Sequence, residues 1–187
     1  MRVAITPTQF QAAPTMQTPS ATSVVSRFPN ALSLALRAAL ASSLAVGAAQ
    51  LLTLRYPIYA LIAAVIVTDS SPATTRRLAA HRVVGTAMGA VCGALLSTYF
   101  GHALWALGIG VLVMLTLALL GGYTEAGKLA AYVAGLVVLD HSSEAWVYAF
   151  ARFVETAVGI AAALLVGMVF SFLGTRLRAI RRRSTDA

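Results

Sequence analysis

The sequence predicts an all-α polytopic membrane protein with about six transmembrane helices, arranged as two related halves of three. The chain of 187 residues is 59% hydrophobic and 11% charged, whereas a soluble domain carries roughly 25% charged residues. Its longer apolar stretches reach the roughly 20 residues that a helix needs to cross about 30 Å of hydrocarbon. An eight-residue motif also occurs twice. The alternation of polar and apolar residues that marks an outer-membrane barrel is absent.

Six apolar segments follow one another along the chain. They are residues 31–54, 56–69, 83–100, 103–120, 128–139 and 146–174. The second and the fifth contain apolar runs of only about 10–13 residues, which is nearer the length of re-entrant or broken segments. Both end in an aspartate, Asp69 and Asp140 respectively. Short segments at matching places in two halves point to a binding site between the halves.

The two tails differ from the apolar region between them. Residues 1–30 are rich in Thr, Pro, Gln and Ser and lack an apolar run, which predicts a disordered tail. Residues 176–187 carry five arginines and are predicted to form a basic, soluble tail. No secretory signal is expected, because its apolar core would begin much earlier.

The basic residues predict the orientation. With six spans and both termini in the cytoplasm, nearly all lysines and arginines outside the spans lie on the cytoplasmic side, and Arg55 lies opposite with Asp140 and Glu144. This is the positive-inside pattern of a multi-pass membrane protein. The net charge of +8 is therefore an orientation signal, and the expected surrounding is the lipid bilayer, with no nucleic-acid partner.

The repeated motif reads RVVGTAMG over residues 82–89 and RFVETAVG over residues 152–159, with five of the eight positions identical. In the six-span topology one copy begins at each membrane face. The two halves are therefore predicted to form an inverted-topology repeat. The alternative is a chance similarity between two alanine-rich helices.

Glycines recur every four residues in the third segment, at Gly85, Gly89 and Gly93. Gly159 and Gly167 are spaced in a related way in the sixth segment. Small residues at this spacing let two helix backbones approach closely. The glycines therefore predict helix–helix packing, with a subunit interface as one location for it.

Arg152 and Glu155 lie three residues apart, on one face of a helix, about two turns inside the sixth segment. An ionisable side chain at that depth costs several kcal/mol unless it is paired or hydrated. One interpretation is a structural ion pair of Arg152 with Glu155 or with Asp140. The other is a guanidinium that binds a substrate carboxylate, beside a carboxylate that carries a proton, because a planar guanidinium suits a carboxylate well.

Three further positions are weaker candidates. Arg37 lies one to two turns inside the first segment and can extend to the cytoplasmic surface. Arg82 can do the same, and it occupies the position in the first motif copy that Arg152 occupies in the second. Asp69 belongs to the polar stretch 68–75, where Pro72 stops a continuous helix and predicts an interfacial loop or the wall of a wet cavity. The candidate substrate-binding residues are Arg152, Arg82 and Arg37, and the candidate proton-carrying or ion-pairing residues are Glu155, Asp69 and Asp140.

Soluble-type catalysis is not predicted. Cys92 is the only cysteine, so neither a disulfide nor a paired-cysteine redox site is possible within the chain. His81, His102 and His141 lack the spacing of metal ligands, and no nucleotide-binding glycine motif is present. The protein is therefore expected to be no enzyme and to need neither metal nor cofactor.

The order of four features resembles a known family. Arg37 is followed by YPIYALIAAVIVT over residues 56–68, by Arg-x-x-Gly-Thr from Arg82 and by Arg-x-x-Glu-Thr from Arg152. Over about residues 31–175 this resembles the membrane module of the fusaric acid resistance and aromatic acid exporter superfamily. The resemblance implies a bacterial inner-membrane protein that exports aromatic carboxylic acids.

The chain also departs from that family. Many members are much longer, with a large cytoplasmic region and often a second membrane module. A single module predicts a homodimer or higher homo-oligomer, with the row from Gly85 to Gly93 as a candidate seam. The resemblance implies an uncharged polar residue where Asp69 stands, and a periplasmic adaptor protein as a possible partner.

The predicted function is efflux of small aromatic or other organic carboxylic acids across the inner membrane, driven by the proton gradient. A different class of function is a structural or assembly subunit, in which the arginines and glycines only pack helices. A passive channel with charged residues lining a hydrated pore is the third alternative.

Overall fold

The computed structural model describes residues 21–101, 103–140 and 144–185, and within these ranges it contains six α-helices and no strand. The helices are α1 (Ala21–Leu51), α2 (Ile58–Val67), α3 (Pro72–Phe100), α4 (Leu104–Leu120), α5 (Thr124–Asp140) and α6 (Ala145–Thr185). The all-α prediction is confirmed. By length and composition, three segments can cross a membrane, and they are Phe28–Leu51, Pro72–Phe100 and Ala145–Arg176.

Three helix ends lie ten or more residues from their predicted positions. Helix α1 begins at Ala21, inside the predicted tail, of which residues 1–20 lie outside the described part of the chain. Helix α3 begins at Pro72 rather than near residue 83. Proline suits the first helical position, since the missing N–H has no intrahelical partner there. Pro72 thus starts a helix, and the predicted loop 68–75 shrinks to 68–71. Helix α6 continues through the basic segment to Thr185.

The two helices that carry the repeated motif, α3 and α6, pack against each other in opposite directions. Ala79, early in α3, shares a buried cluster with Ala163 and Val166, late in α6. Ala94, late in α3, shares another buried cluster with Ala145, at the start of α6. The two motif copies therefore run antiparallel in the centre of the bundle.

Helix α5 packs along α3 through the glycine row. A methyl group at Gly85 would lie 2.6 Å from the Ala126 carbonyl oxygen, and one at Gly93 would lie 2.7 Å from the Ala134 oxygen. Both contacts advance by eight residues, so α3 and α5 run parallel. The glycine row is thus filled within one chain, and the prediction that it forms a subunit seam is wrong because α5 already covers it.

Helix α2 packs along α6 in a corresponding way. Gly159 of α6 lies against the backbone of Ala60 and the side chain of Ala63. Its motif counterpart Gly89 lies against Ala130 of α5. The glycines are 70 positions apart in the chain, and so are the two alanines that they touch, Ala60 and Ala130. The motif copies therefore occupy the same place in two similar helix pairs. Gly167 differs, since no described atom lies within 4 Å of a Cβ built there.

The bundle has two ends with different loops and charges. One, the Arg55 end, carries residues 52–57 and Glu144, which are joined by an exposed Arg55–Glu144 ion pair of 2.9 Å. The other, the Arg82 end, carries residues 68–71 and 121–123. Most basic side chains of the described residues lie towards this second end, and they are Arg37, Arg76, Arg77, Arg82, Lys128 and Arg176.

The tight contact of α3 with α5 predicts the effect of filling one glycine. Gly93→Ala is expected to lower the free energy of unfolding by about 1–3 kcal/mol, because its methyl group overlaps the backbone of Ala134. Gly108→Ala in α4 is the matched control, since no atom lies within 4 Å there, and it should be neutral or gain up to about 1 kcal/mol of helix stability. Thermal unfolding in detergent measures both. Equal melting temperatures would contradict the packing described.

Candidate functional site

Arg152 and Glu155 form a buried ion pair on one face of α6. The Arg152 side chain is 2% exposed and Glu155 is 0% exposed, and Arg152 Nη2 lies 2.5 Å from Glu155 Oε2. Arg152 lies about two turns after the start of α6 at Ala145, as predicted. Of the two partners considered for Arg152, the structure gives Glu155. The three-residue spacing brings the two side chains together on one helix face.

Three tyrosines surround the Arg152 guanidinium and form a tyrosine cage, defined as Tyr56, Tyr59 and Tyr148. Arg152 Cζ lies 3.1 Å from the ring centroid of Tyr59, 4.7 Å from that of Tyr56 and 4.8 Å from that of Tyr148. The faces of aromatic rings attract a cation at such distances. Two edge-to-face contacts fix the Tyr56 ring against Tyr59 and Tyr148. The cage therefore stabilises a positive charge inside the bundle.

Glu155 also satisfies the backbone at the start of α2. Its Oε1 accepts a hydrogen bond of 2.7 Å from the backbone N–H of Tyr56, which lies two residues before the helix begins at Ile58. The positive end of the helix dipole favours a carboxylate at this place. Glu155 thus connects α6 to the start of α2, where the cage residues Tyr56 and Tyr59 lie.

Asp140 is linked to the cage but not directly to Arg152. The Tyr148 hydroxyl donates a hydrogen bond of 3.3 Å to Asp140 Oδ2. Asp140 is the last residue of α5, whereas Asp69 follows the end of α2 in the loop. The packing of the two halves relates positions 70 apart, and Asp69 and Asp140 are 71 apart. The two aspartates are therefore not structural counterparts, although the sequence suggests that they match.

Arg37 and Asp69 lie at the Arg82 end, away from the cage. Asp69 Oδ1 accepts a hydrogen bond of 2.8 Å from the backbone N–H of Ser71, and Arg37 Nη1 donates one of 3.1 Å to the Ser70 carbonyl oxygen. Both line a cavity of about 320 Å³ together with Phe172. These hydrogen bonds stabilise the α2–α3 loop. The structure thus separates Arg37 and Asp69 from Arg152 and Glu155.

Arg82, the counterpart of Arg152, has a different environment. Its side chain is 6% exposed, and within the described ranges no carboxylate pairs with it. Gly85 stands where Glu155 stands in the second copy, and Leu129 stands 70 positions from Tyr59. Among the described residues, one copy of the motif therefore has an arginine paired with a carboxylate, and the other has an arginine that pairs with none.

The cage tyrosines are functional candidates that the sequence analysis missed. A local signal existed, because Tyr148 precedes Arg152 by four residues and therefore shares its helix face. Tyr56 and Tyr59 flank Pro57 at the start of the short second segment. Their approach to Arg152 depends on the packing of α2 against α6, which no local pattern predicts.

The comparisons with known proteins identify a family. The family model described as aromatic acid exporter family member 1 matches residues 34–170. This range covers well over half of the chain and includes both motif copies, and the chain belongs to that family. The resemblance indicated by Arg37 and the two motif copies is confirmed. No curated protein and no solved structure matches the chain significantly.

The buried pair predicts a specific pattern of stability. Removal of one partner leaves an unpaired charge, so Arg152→Met or Glu155→Gln alone should each cost about 3–5 kcal/mol, whereas the double variant should recover most of that loss. Glu144→Gln, which breaks the exposed Arg55–Glu144 pair, is the matched control and should change stability little. Chemical unfolding in detergent, followed by circular dichroism, compares the four variants. If the loss in unfolding free energy of the double variant equals the sum of the two single losses, Arg152 and Glu155 do not stabilise each other.

Proposed function

We infer that this member of the aromatic acid exporter family moves small aromatic or other organic carboxylic acids out of the cytoplasm, across the bacterial inner membrane. The observation that carries this proposal is the Arg152 guanidinium, which is buried among three tyrosine rings and paired with a carboxylate. A cation beside aromatic rings matches the two parts of an aromatic carboxylate. Such a substrate can take the place of Glu155 at Arg152.

The Arg152–Glu155 pair suggests how export is coupled to protons. A proton that reaches Glu155 from the Arg55 end neutralises the carboxylate and releases the guanidinium. The substrate carboxylate then pairs with Arg152, and the rings of the cage contact the aromatic part of the substrate. When Glu155 gives its proton to the cytoplasm it pairs with Arg152 again and displaces the substrate outwards. One proton enters for each carboxylate that leaves.

The proposed topology places the Arg82 end in the cytoplasm. Most basic side chains lie there, as the positive-inside rule requires. The antiparallel contact of α3 with α6, each carrying one motif copy, supports an inverted repeat with six membrane-crossing segments. Both termini then lie in the cytoplasm. A second copy of the chain, needed to enclose a transport path, would pack through surfaces other than the glycine row.

A structural or assembly subunit is the second candidate function. The observation that favours it is that Arg152 and Glu155 already compensate each other and are almost completely buried. An ion pair of this kind can serve only to join α2 to α6. The two functions differ in whether cells that express the wild-type protein export the acid at all.

The double variant R152M/E155Q separates transport from folding. Its packing and charge balance are kept, so it should reach the membrane in normal amounts, but it should lose export because no guanidinium receives the substrate. Retention of radiolabelled benzoate by cells that express the protein measures export. Arg55→Gln, at an exposed pair on the same end, is the control and should export normally. Full export by the double variant would remove Arg152 from the transport site, whereas an absence of export by the wild-type protein would favour the assembly function.

Glu155→Gln tests the coupling by itself. Since glutamine cannot exchange a proton, this variant should lose net efflux against a gradient while it retains exchange of labelled for unlabelled benzoate. Membrane vesicles with an imposed pH gradient measure both processes in the same preparation. Net efflux that still follows the pH gradient in Glu155→Gln would remove Glu155 from the coupling step.

Single cysteines test the orientation in a Cys92→Ala background. Glu144→Cys, at the Arg55 end, should react with a membrane-impermeant maleimide added to intact cells. Tyr123→Cys, in the exposed loop 121–123 at the other end, should react only after the cells are permeabilised. The reverse pattern would invert the topology and with it the direction proposed for transport.

A further inference from the structure

A second cavity, the Arg82 cleft, opens between α2, α3 and α5 at the Arg82 end. Its volume is about 460 Å³, within the roughly 300–1,000 Å³ typical of small-molecule sites. Ile62 and Leu129 form apolar walls, and Tyr132 adds an aromatic ring. Arg77 and Arg82 bring positive charge into it. The cleft therefore combines an apolar interior with cationic groups.

Arg82 is the buried arginine of this cleft, and none of the ion pairs among the described residues includes it. Its side chain is 6% exposed, and its Nε has no hydrogen-bond partner among the described residues. Lys128, which also lines the cleft, is already paired with Glu125 at 2.9 Å. Glu125 is the acidic residue that lines the cleft, so Arg82 and Arg77 leave a surplus of positive charge. A buried guanidinium of this kind calls for an anion from outside the chain.

The comparison of the two motif copies indicates which anion. In the second copy, Glu155 supplies a carboxylate to Arg152 from within the chain. In the first copy, Gly85 stands at the corresponding position and has no carboxylate. The backbone of Ala126 packs closely against it. A guanidinium that has lost an internal carboxylate is best satisfied by a carboxylate from a ligand, which it can bind through two parallel hydrogen bonds.

We propose that the Arg82 cleft is the loading site at which one aromatic carboxylate binds from the cytoplasmic side before export. Arg82 holds the carboxylate, and the ring lies between Tyr132 and the apolar walls. This inference rests on the proposed export function and adds its cytoplasmic site. The two motif arginines then divide the work: Arg82 receives the substrate, and Arg152 exchanges it against Glu155.

Equilibrium binding of radiolabelled benzoate to the full-length protein tests the site, in nanodiscs made of phosphatidylcholine. Unlabelled benzoate should displace the label, and benzamide, which has the same shape without the charge, should not. Arg82→Gln should weaken the affinity about tenfold or more, because a hydrogen-bonded charge pair is lost. Arg82→Lys should recover part of the affinity. Arg76→Gln is the matched control, since Arg76 lies on the same helix but lines the other cavity, and it should bind normally.

The outcomes separate the site from the function. Binding that depends on Arg82 and persists in R152M/E155Q supports the loading site. If cells with the wild-type protein retain as much benzoate as cells without it, export is refuted, but this binding result still supports the site. Binding that survives Arg82→Gln, or an absence of benzoate binding by a protein that exports benzoate, overturns the site. Loss of co-purified phosphatidylglycerol in Arg82→Gln, with benzoate binding unchanged, also overturns it and assigns the cleft to a lipid headgroup.

Discussion

The structure depends on the burial of one charge pair inside an apolar bundle. Arg152 and Glu155 have no access to water, so each must be satisfied by the protein. Glu155 does this twice, by pairing with Arg152 and by accepting the backbone N–H of Tyr56. Non-helical backbone at membrane depth is tolerated only where such a partner exists. The pair therefore fixes the start of α2 against α6.

The same eight-residue motif serves two kinds of contact. In the first copy, Gly85 lets α5 approach α3 backbone to backbone. In the second, Glu155 fills the corresponding space and contacts the start of α2 through its carboxylate. The following glycine is kept in both copies, as Gly89 and Gly159, and each packs against an alanine of its partner helix. One substitution thus changes a packing surface into a polar centre without changing the helix arrangement around it.

Much of the fold and part of the site could be predicted from the sequence. Composition determines the all-α membrane class, and the spacing of Arg152 and Glu155 predicts their pairing, because both are local properties. The tyrosine cage could not be predicted, since it needs α2 to meet α6. The prediction that Asp69 corresponds to Asp140 was wrong. It was based on where the apolar runs end, whereas the packing of the helices relates positions 70 residues apart. Pro72 misled because a proline that interrupts one helix can also begin the next.

Arg152 and Arg82 differ in their counterions. Arg152 has Glu155 from the same helix, whereas Arg82 has none among the described residues. A buried arginine without a carboxylate lowers stability, and the second copy of the motif avoids that loss with Glu155, whereas the first copy has Gly85. The glycine there keeps α5 close and leaves the Arg82 guanidinium without an internal partner. In the proposed loading site, an anion bound at Arg82 supplies the missing interaction, and its binding stabilises the folded protein. In the proposed mechanism, Arg82, which pairs with no carboxylate among the described residues, takes up the anion, and Arg152, which pairs with Glu155, releases it.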